Sequence, residues 1–173
     1  MVFSTALIGD PTMHPTLQKH SVISWDMDQT LVNGPNSVYF RDYIARHPEK
    51  EHHIVTFRNR SWAEKIPLEL ESYDFNIKHF SGIHYCPEEI HDSYMIRNSD
   101  ISIANFLFYR DITKEEFDRN VQLFPYWKGL QSKKIGASVL VDDMPEMVLL
   151  GCKEHGIEFL HALDKIPIFV GKL

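Results

Sequence analysis

Ser21-Val22-Ile23-Ser24-Trp25-Asp26-Met27-Asp28-Gln29-Thr30 joins a short apolar run to two acids separated by a single residue. A run of that length, ending abruptly in charge, reads as a strand buried within a sheet. Downstream, Asn33-Gly34-Pro35-Asn36 is a turn, and Asn36 or Ser37 caps a helix over residues 38–47. Val38, Phe40, Tyr43, Ile44 and Ala45 lie mostly on one face of that helix, and Pro48 stops it. A second strand covers residues 53–57, and Ser61 caps a helix carrying Trp62, Ala63, Ile66, Leu68 and Leu70, with Pro67 in its middle. A third strand is expected within residues 75–85, weakened at its far end by Gly82. Thr113, followed by Glu115 and Glu116, opens a helix running towards Leu123 and stopping near Pro125; residues 128–135 add one or two helical turns. Ala137-Ser138-Val139-Leu140-Val141 repeats the opening pattern and runs straight into Asp142-Asp143. Pro145 then starts a helix that Gly156 closes, residues 157–160 form a short strand, and residues 166–170 an edge strand.

Strands alternating with helices imply an α/β fold: a doubly wound, Rossmann-like parallel sheet flanked by helices on both faces. The expected organisation is an arm at residues 1–20 and one domain over residues 21–173. Residues 82–110, the least patterned stretch, are a candidate small lid or insertion. A chain of 173 residues suits a single domain. Its 43% hydrophobic and 24% charged residues are ordinary for a globular protein. With 18 basic and 24 acidic residues the net charge is −6, which does not favour nucleic acid or an anionic membrane as the main partner, although a local basic groove is not excluded. The longest apolar runs are far shorter than the ~20 residues of a membrane helix. The amino terminus lacks a basic region and is broken by Gly9, Asp10 and Pro11; with two cysteines, this points to the cytoplasm.

In an open parallel sheet, ligands bind at the carboxyl ends of the strands. Asp26 closes the first strand, Thr56 the second, and Asp142-Asp143 the fourth, with Lys128 14 residues before Asp142. Acids at positions i and i+2 of extended chain point the same way, whereas on a helix they diverge. Oxygen ligands without His or Cys suit Mg²⁺. A carboxylate at such an ion can act as nucleophile while its neighbour serves as acid and then base. The Thr56 hydroxyl and Lys128 ammonium can hold phosphoryl oxygens, and phosphoryl transfer needs little more than positioning and charge neutralisation.

Asp26-Met27-Asp28-Gln29-Thr30-Leu31-Val32 resembles the first motif of the haloacid dehalogenase (HAD) superfamily. Val55-Thr56 is similar to its second motif, Lys128 to its third, and Val139-Leu140-Val141-Asp142-Asp143 to its fourth. Lys133 and Lys134 also stand near the fourth motif and are the alternatives for the third. The resemblance covers roughly residues 21–160, and the motifs fall in the family's order. It implies a HAD-like core with Asp26 as the nucleophile that forms an aspartyl-phosphate. Asp28 is then the general acid and base, its backbone carbonyl a Mg²⁺ ligand. Thr56 hydrogen-bonds the phosphoryl group, and Lys128 offsets the charge of Asp26 and phosphate. Asp143 is the direct metal ligand, with Asp142 beside it contacting Lys128 or a metal-bound water; the two can exchange roles. Gln29 departs from the family, which most often has Gly there. Haloalkanoate dehalogenases of the superfamily lack the acid at Asp28, so the resemblance implies a phosphoric monoester hydrolase. Asp26 and Thr56 are 30 residues apart, with no room for a large cap domain. The site is then open to a phosphorylated substrate of any size, or closed by a second copy in a homo-oligomer.

The competing readings are a phosphotransferase or phosphomutase of the same superfamily, and a non-catalytic phosphate-binding protein. Arg58 and Arg60 follow Thr56 on the same rim as candidate substrate clamps. Trp62, Tyr85 and Tyr109 are candidates for an aromatic wall, core packing being the preferred use of Trp62. His84, Cys86 and His91 are a loose candidate zinc set. Neighbouring His52 and His53 point to opposite strand faces, with one expected to be exposed. There is no Gly-rich phosphate loop of the kind kinases use.

Overall fold

The computed structural model describes residues 14–62 and 64–166. In chain order the elements are α1 (Pro15–Gln18), β1 (Val22–Trp25), α2 (Ser37–Arg46), β2 (Glu51–Thr56), α3 (Lys65–Glu71), β3 (Gly82–Tyr85), α4 (Glu88–Arg97), α5 (Ile103–Arg110), α6 (Lys114–Lys134), β4 (Val139–Asp142), α7 (Pro145–His155) and β5 (Glu158–His161). The strands form one all-parallel sheet in the order β3-β2-β1-β4-β5. The α/β class and flanking helices expected from the sequence are therefore present. None of the described helices is long and apolar enough to cross a membrane.

The strand pleat divides the core. Ile23, Trp25, Ile54, Val139 and Val141 face α2 and α3, packing with Phe40, Tyr43, Ile44, Ile66 and Leu70. Val55 and Leu140 face the other way, onto Phe124 and Trp127 of α6 and Val148 and Cys152 of α7. With both faces covered, β1, β2 and β4 are buried almost throughout. His52 and His53 occupy opposite faces, and both are buried, correcting the expectation that one is exposed. His52 accepts the Trp25 indole N–H at 3.1 Å and meets the His47 carbonyl at 3.0 Å. His53 meets Glu51 at 2.7 Å and His84 at 3.1 Å.

Several boundaries differ from the sequence reading. Leu17 of α1, within the expected arm, is fully buried in the core. Asn59, rather than Ser61, organises the turn before α3 by accepting the Ser61 N–H at 3.1 Å. Pro67 falls in the first turn of α3, where N–H groups have no intrahelical partner. Asn76 caps a 3-10 turn over Ile77–His79, so the third strand is confined to Gly82–Tyr85 and begins at the glycine expected to weaken it. The stretch read as a possible lid supplies β3, which pairs with β2, and α4, whose Ile90 and Tyr94 pack on Phe124 and Trp127. The expected strand at 166–170 lies outside the described residues beyond Ile166.

The largest departure is α6, which runs unbroken through Pro125. Packing overrides the lost hydrogen bond: Phe124, Trp127, Lys128 and Gly129 are all buried on this stretch. Gly129 faces Gly151 of α7 so closely that a Cβ on Gly129 would sit 2.2 Å from the Gly151 carbonyl carbon. A Cβ on Gly151 would in turn sit 2.8 Å from the Tyr126 Cα and 2.9 Å from the Pro125 oxygen. The two helices touch backbone to backbone beside Lys128.

Candidate active site

The strand order reverses direction between β1 and β4, and the carboxyl ends of those strands flank the crevice where doubly wound sheets bind ligands. Trp25 is in register with Val141, and the ladder continues through the Asp26 N–H donating to the Val141 carbonyl at 2.8 Å. Asp26 and Asp142 therefore leave adjacent strands side by side. Lys128, 1% exposed, reaches up from α6 between them and donates to Asp26 Oδ1 and Asp142 Oδ2, each at 2.6 Å. Its sequence alternatives, Lys133 and Lys134, are exposed. Asp142 Oδ1 accepts the Met144 N–H at 2.9 Å, which fixes the carboxylate that fixes the lysine. Carboxylate oxygens of Asp26, Asp142 and Asp143 lie within 4.8 Å of one another.

Three carboxylates against one ammonium leave excess negative charge in a place water barely reaches. Burial, reinforced by the charge on Asp142, pushes the Asp26 carboxyl up to about 8 despite the pull of Lys128. Burial also disfavours the Lys128 ammonium, but Asp142 and Asp26 more than offset it and hold the lysine above its ordinary value. Asp143, half-buried, is raised by burial and by Asp142. Such a site gains from any added positive charge.

Thr56 ends β2 beside β1, buried, its Oγ1 accepting the Arg58 N–H at 3.2 Å. That leaves the hydroxyl proton to donate. Asp28 lies on the rim with a side chain 53% exposed, outside the carboxylate cluster. Arg58 grips it through Nε to Oδ2 at 2.9 Å and Nη2 to Oδ1 at 2.5 Å, and reaches Glu69 of α3 at 2.6 Å. Arg58 is thus no free clamp: the hydrogen bond to Asp28 raises its guanidinium above the ordinary value. Sequence spacing gave no hint of this pairing, because nothing local relates positions 28, 58 and 69.

The loop between Asp26 and α2 is tightly wound. Leu31 and Val32 N–H groups both donate to the Met27 carbonyl, at 3.0 and 3.1 Å, and Gln29 adopts a left-handed φ of 55°. A Cβ on Gly34 would lie 1.8 Å from the Gln29 oxygen, so glycine is obligatory where the loop passes itself. The other sequence candidates are dispersed. His84 contacts His53 and Gln131, His91 contacts Asp92, and Cys86 is buried with its thiol pushed up to about 12 by burial. They form no ligand cluster among the described residues. Trp62 is 46% exposed rather than packed in the core, and Tyr109 is exposed on α5. Comparison with protein-family models, characterised proteins and solved structures gives no match.

Proposed function

We propose that this chain is a Mg²⁺-dependent phosphatase with a HAD-like core and no large cap, hydrolysing phosphomonoesters through a phosphorylated Asp26. The observation that carries the reading is the buried Lys128 ammonium shared between Asp26 and Asp142, with Asp143 alongside. The donor set fits the metal: an all-oxygen cluster with surplus negative charge suits a hard divalent cation. Asp26, Asp143 and the Asp28 backbone carbonyl would hold it, with Asp142 adjacent. Bound there, Mg²⁺ would supply neutralising charge for the carboxylates and the phosphate oxygens.

In the first half of the reaction Asp26 attacks phosphorus. The bond from phosphorus to Asp26 forms, the bond to the leaving oxygen breaks, and that oxygen takes a proton from Asp28. In the second half Asp28, now a carboxylate, takes a proton from water as the water oxygen attacks phosphorus. The bond to Asp26 breaks, and inorganic phosphate leaves with Asp26 restored. Lys128 keeps Asp26 oriented and offsets its charge, and Thr56 donates its hydroxyl proton to a phosphoryl oxygen. Arg58 holds the Asp28 carboxylate at the rim; on parting from the guanidinium the carboxylate takes the proton of a phosphomonoester monoanion, and that proton is the one it gives to the leaving oxygen. The exposure of Asp28 favours water over a second alcohol as acceptor, and so hydrolysis over the phosphotransferase and phosphomutase alternatives.

The test is phosphate release from a panel of phosphomonoesters, with and without Mg²⁺, for wild type and Asp26→Asn. Metal-dependent turnover that disappears in the folded variant is the expected result. Full turnover by Asp26→Asn, or turnover indifferent to chelation, overturns the reading.

A further inference from the structure

Beside the carboxylate cluster the surface opens into a groove of about 760 Å³, within the range of small-molecule sites. It begins at Asp28 and Arg58 and is otherwise lined mainly by apolar and aromatic side chains. Three rings form a stack within it. Phe57 lies 4.2 Å from Phe124 with the planes 12° apart, and Tyr94 lies 3.9 Å from Phe124 at 5°. The Phe57 ring also sits 4.3 Å from the Lys128 Nζ, so the apolar stack starts where the acid–lysine cluster ends. Trp62 contributes an exposed indole, and Met95, Met144 and Met147 contribute adaptable thioether surface.

Several of the polar groups along the groove are already engaged. Arg58 holds Asp28 and Glu69, His91 Nδ1 meets Asp92 at 3.0 Å, and the Tyr94 hydroxyl donates to the Met147 sulfur at 3.5 Å. A sugar or other polyhydroxyl group entering here would replace few of the hydrogen bonds it surrenders to water, because most of the lining is apolar. A flat, uncharged ring would surrender only apolar hydration and gain aromatic contacts.

We propose that the groove receives the leaving group of the substrate, and that the substrate is a phosphomonoester of an aromatic alcohol. The assignment rests on the phosphatase reading for the phosphate end of the molecule. The phosphorus–oxygen bond breaks at Asp26, and the alcohol, carrying the proton from Asp28, remains against the rings until it departs.

The test compares 2-phenylethyl phosphate with ethyl phosphate, which release primary alcohols of similar acidity and differ in the ring. Wild type is expected to favour the phenyl compound by about tenfold to a hundredfold in kcat/KM, the discrimination that burying one aromatic group provides. Trp62→Ala and Met95→Ala, both exposed positions, should reduce that ratio severalfold. A wild-type ratio near one, or a ratio unchanged in both variants, overturns the groove assignment and leaves the phosphatase reading standing. Turnover of neither ester counts against the phosphatase reading instead. Calorimetric titration with 2-phenylethylphosphonate against ethylphosphonate, in Mg²⁺, then decides the groove: tighter binding of the phenyl compound that Trp62→Ala weakens supports it, and equal or absent binding overturns it.

Discussion

Replacing Gly129 by alanine tests whether the backbone contact between α6 and α7 holds the site together. On a free helix the change would stabilise by about 1 kcal/mol, because alanine is the better helix former. Here the new Cβ would lie 2.2 Å from the Gly151 carbonyl carbon, 2.3 Å from its oxygen and 2.7 Å from the Cys152 nitrogen. Ordinary contacts begin near 3.4 Å, so the helices must separate by roughly 1 Å, and no side-chain rotation relieves a clash with backbone. Overpacking costs about 1–3 kcal/mol, and a backbone clash this close that no rotation relieves belongs at the upper end, which exceeds the propensity gain by about 2 kcal/mol. A net loss of about 2 kcal/mol lowers the melting temperature of a chain this size by about 4–8 °C. The same displacement would carry Lys128, one residue away, from its 2.6 Å contacts with Asp26 and Asp142 to beyond hydrogen-bonding range. Misplacement on this scale can cost about a hundredfold in rate. Thermal unfolding by circular dichroism and phosphate release are the two assays. Gly151→Ala, whose nearest contacts are 2.8–2.9 Å, should be the milder variant on both. A melting temperature equal to or above wild type for Gly129→Ala would refute the reasoning.

Lys128→Met leaves the buried carboxylates without their counter-charge and should destabilise by about 3–5 kcal/mol; adding Asp26→Asn should recover part of that loss, and an additive double variant in urea titrations would contradict the shared-charge account. Millimolar Mg²⁺ should raise the melting temperature of wild type but not of Asp143→Asn, and equal shifts in both would remove Asp143 from the metal's ligands. His52, lowered to about 4 chiefly by burial, stabilises the fold in its neutral form, so its contribution is complete above its unfolded value of 6.5 and disappears as pH falls towards 4. That loss amounts to about 3 kcal/mol, and urea unfolding at pH 7 and pH 4 should show a smaller pH dependence in His52→Gln than in wild type.

The legible parts of the sequence were those whose signal is local. β1 and β4 each pass from apolar residues straight into acid, and α7 is bracketed by Pro145 and by Gly156, which adopts a φ of 67° as its C-cap. The strand-end rule then places Asp26, Thr56 and Asp142 on one rim. Legibility failed where distant residues decide the outcome. Pro125 reads as a helix stop, yet α6 continues because its neighbours Phe124 and Trp127 are buried against the sheet and α4. The Arg58 grip on Asp28 joins positions 30 residues apart, and the Gly129–Gly151 contact joins two helices with β4 between them in the chain. Gln29 sits between the two cases. The family resemblance favours glycine there, and the left-handed backbone at that residue gives the physical reason.

The placement of the chain's three tryptophans gives the molecule its own optical reporters. Trp25 immediately precedes Asp26 and is fully buried, Trp127 immediately precedes Lys128 and is 6% exposed, and Trp62 stands open beside Lys65, whose Nζ lies 3.9 Å from the ring. An aqueous quencher such as iodide would meet Trp62 first and leave the two interior indoles emitting. Of these two, Trp127 lies 6.2 Å from the Phe57 ring that the Lys128 Nζ approaches, so its blue-weighted emission would follow the acid–lysine cluster, while the quenchable red component tracks occupancy of the groove. One cuvette could follow both ends of a bound molecule without attaching a dye.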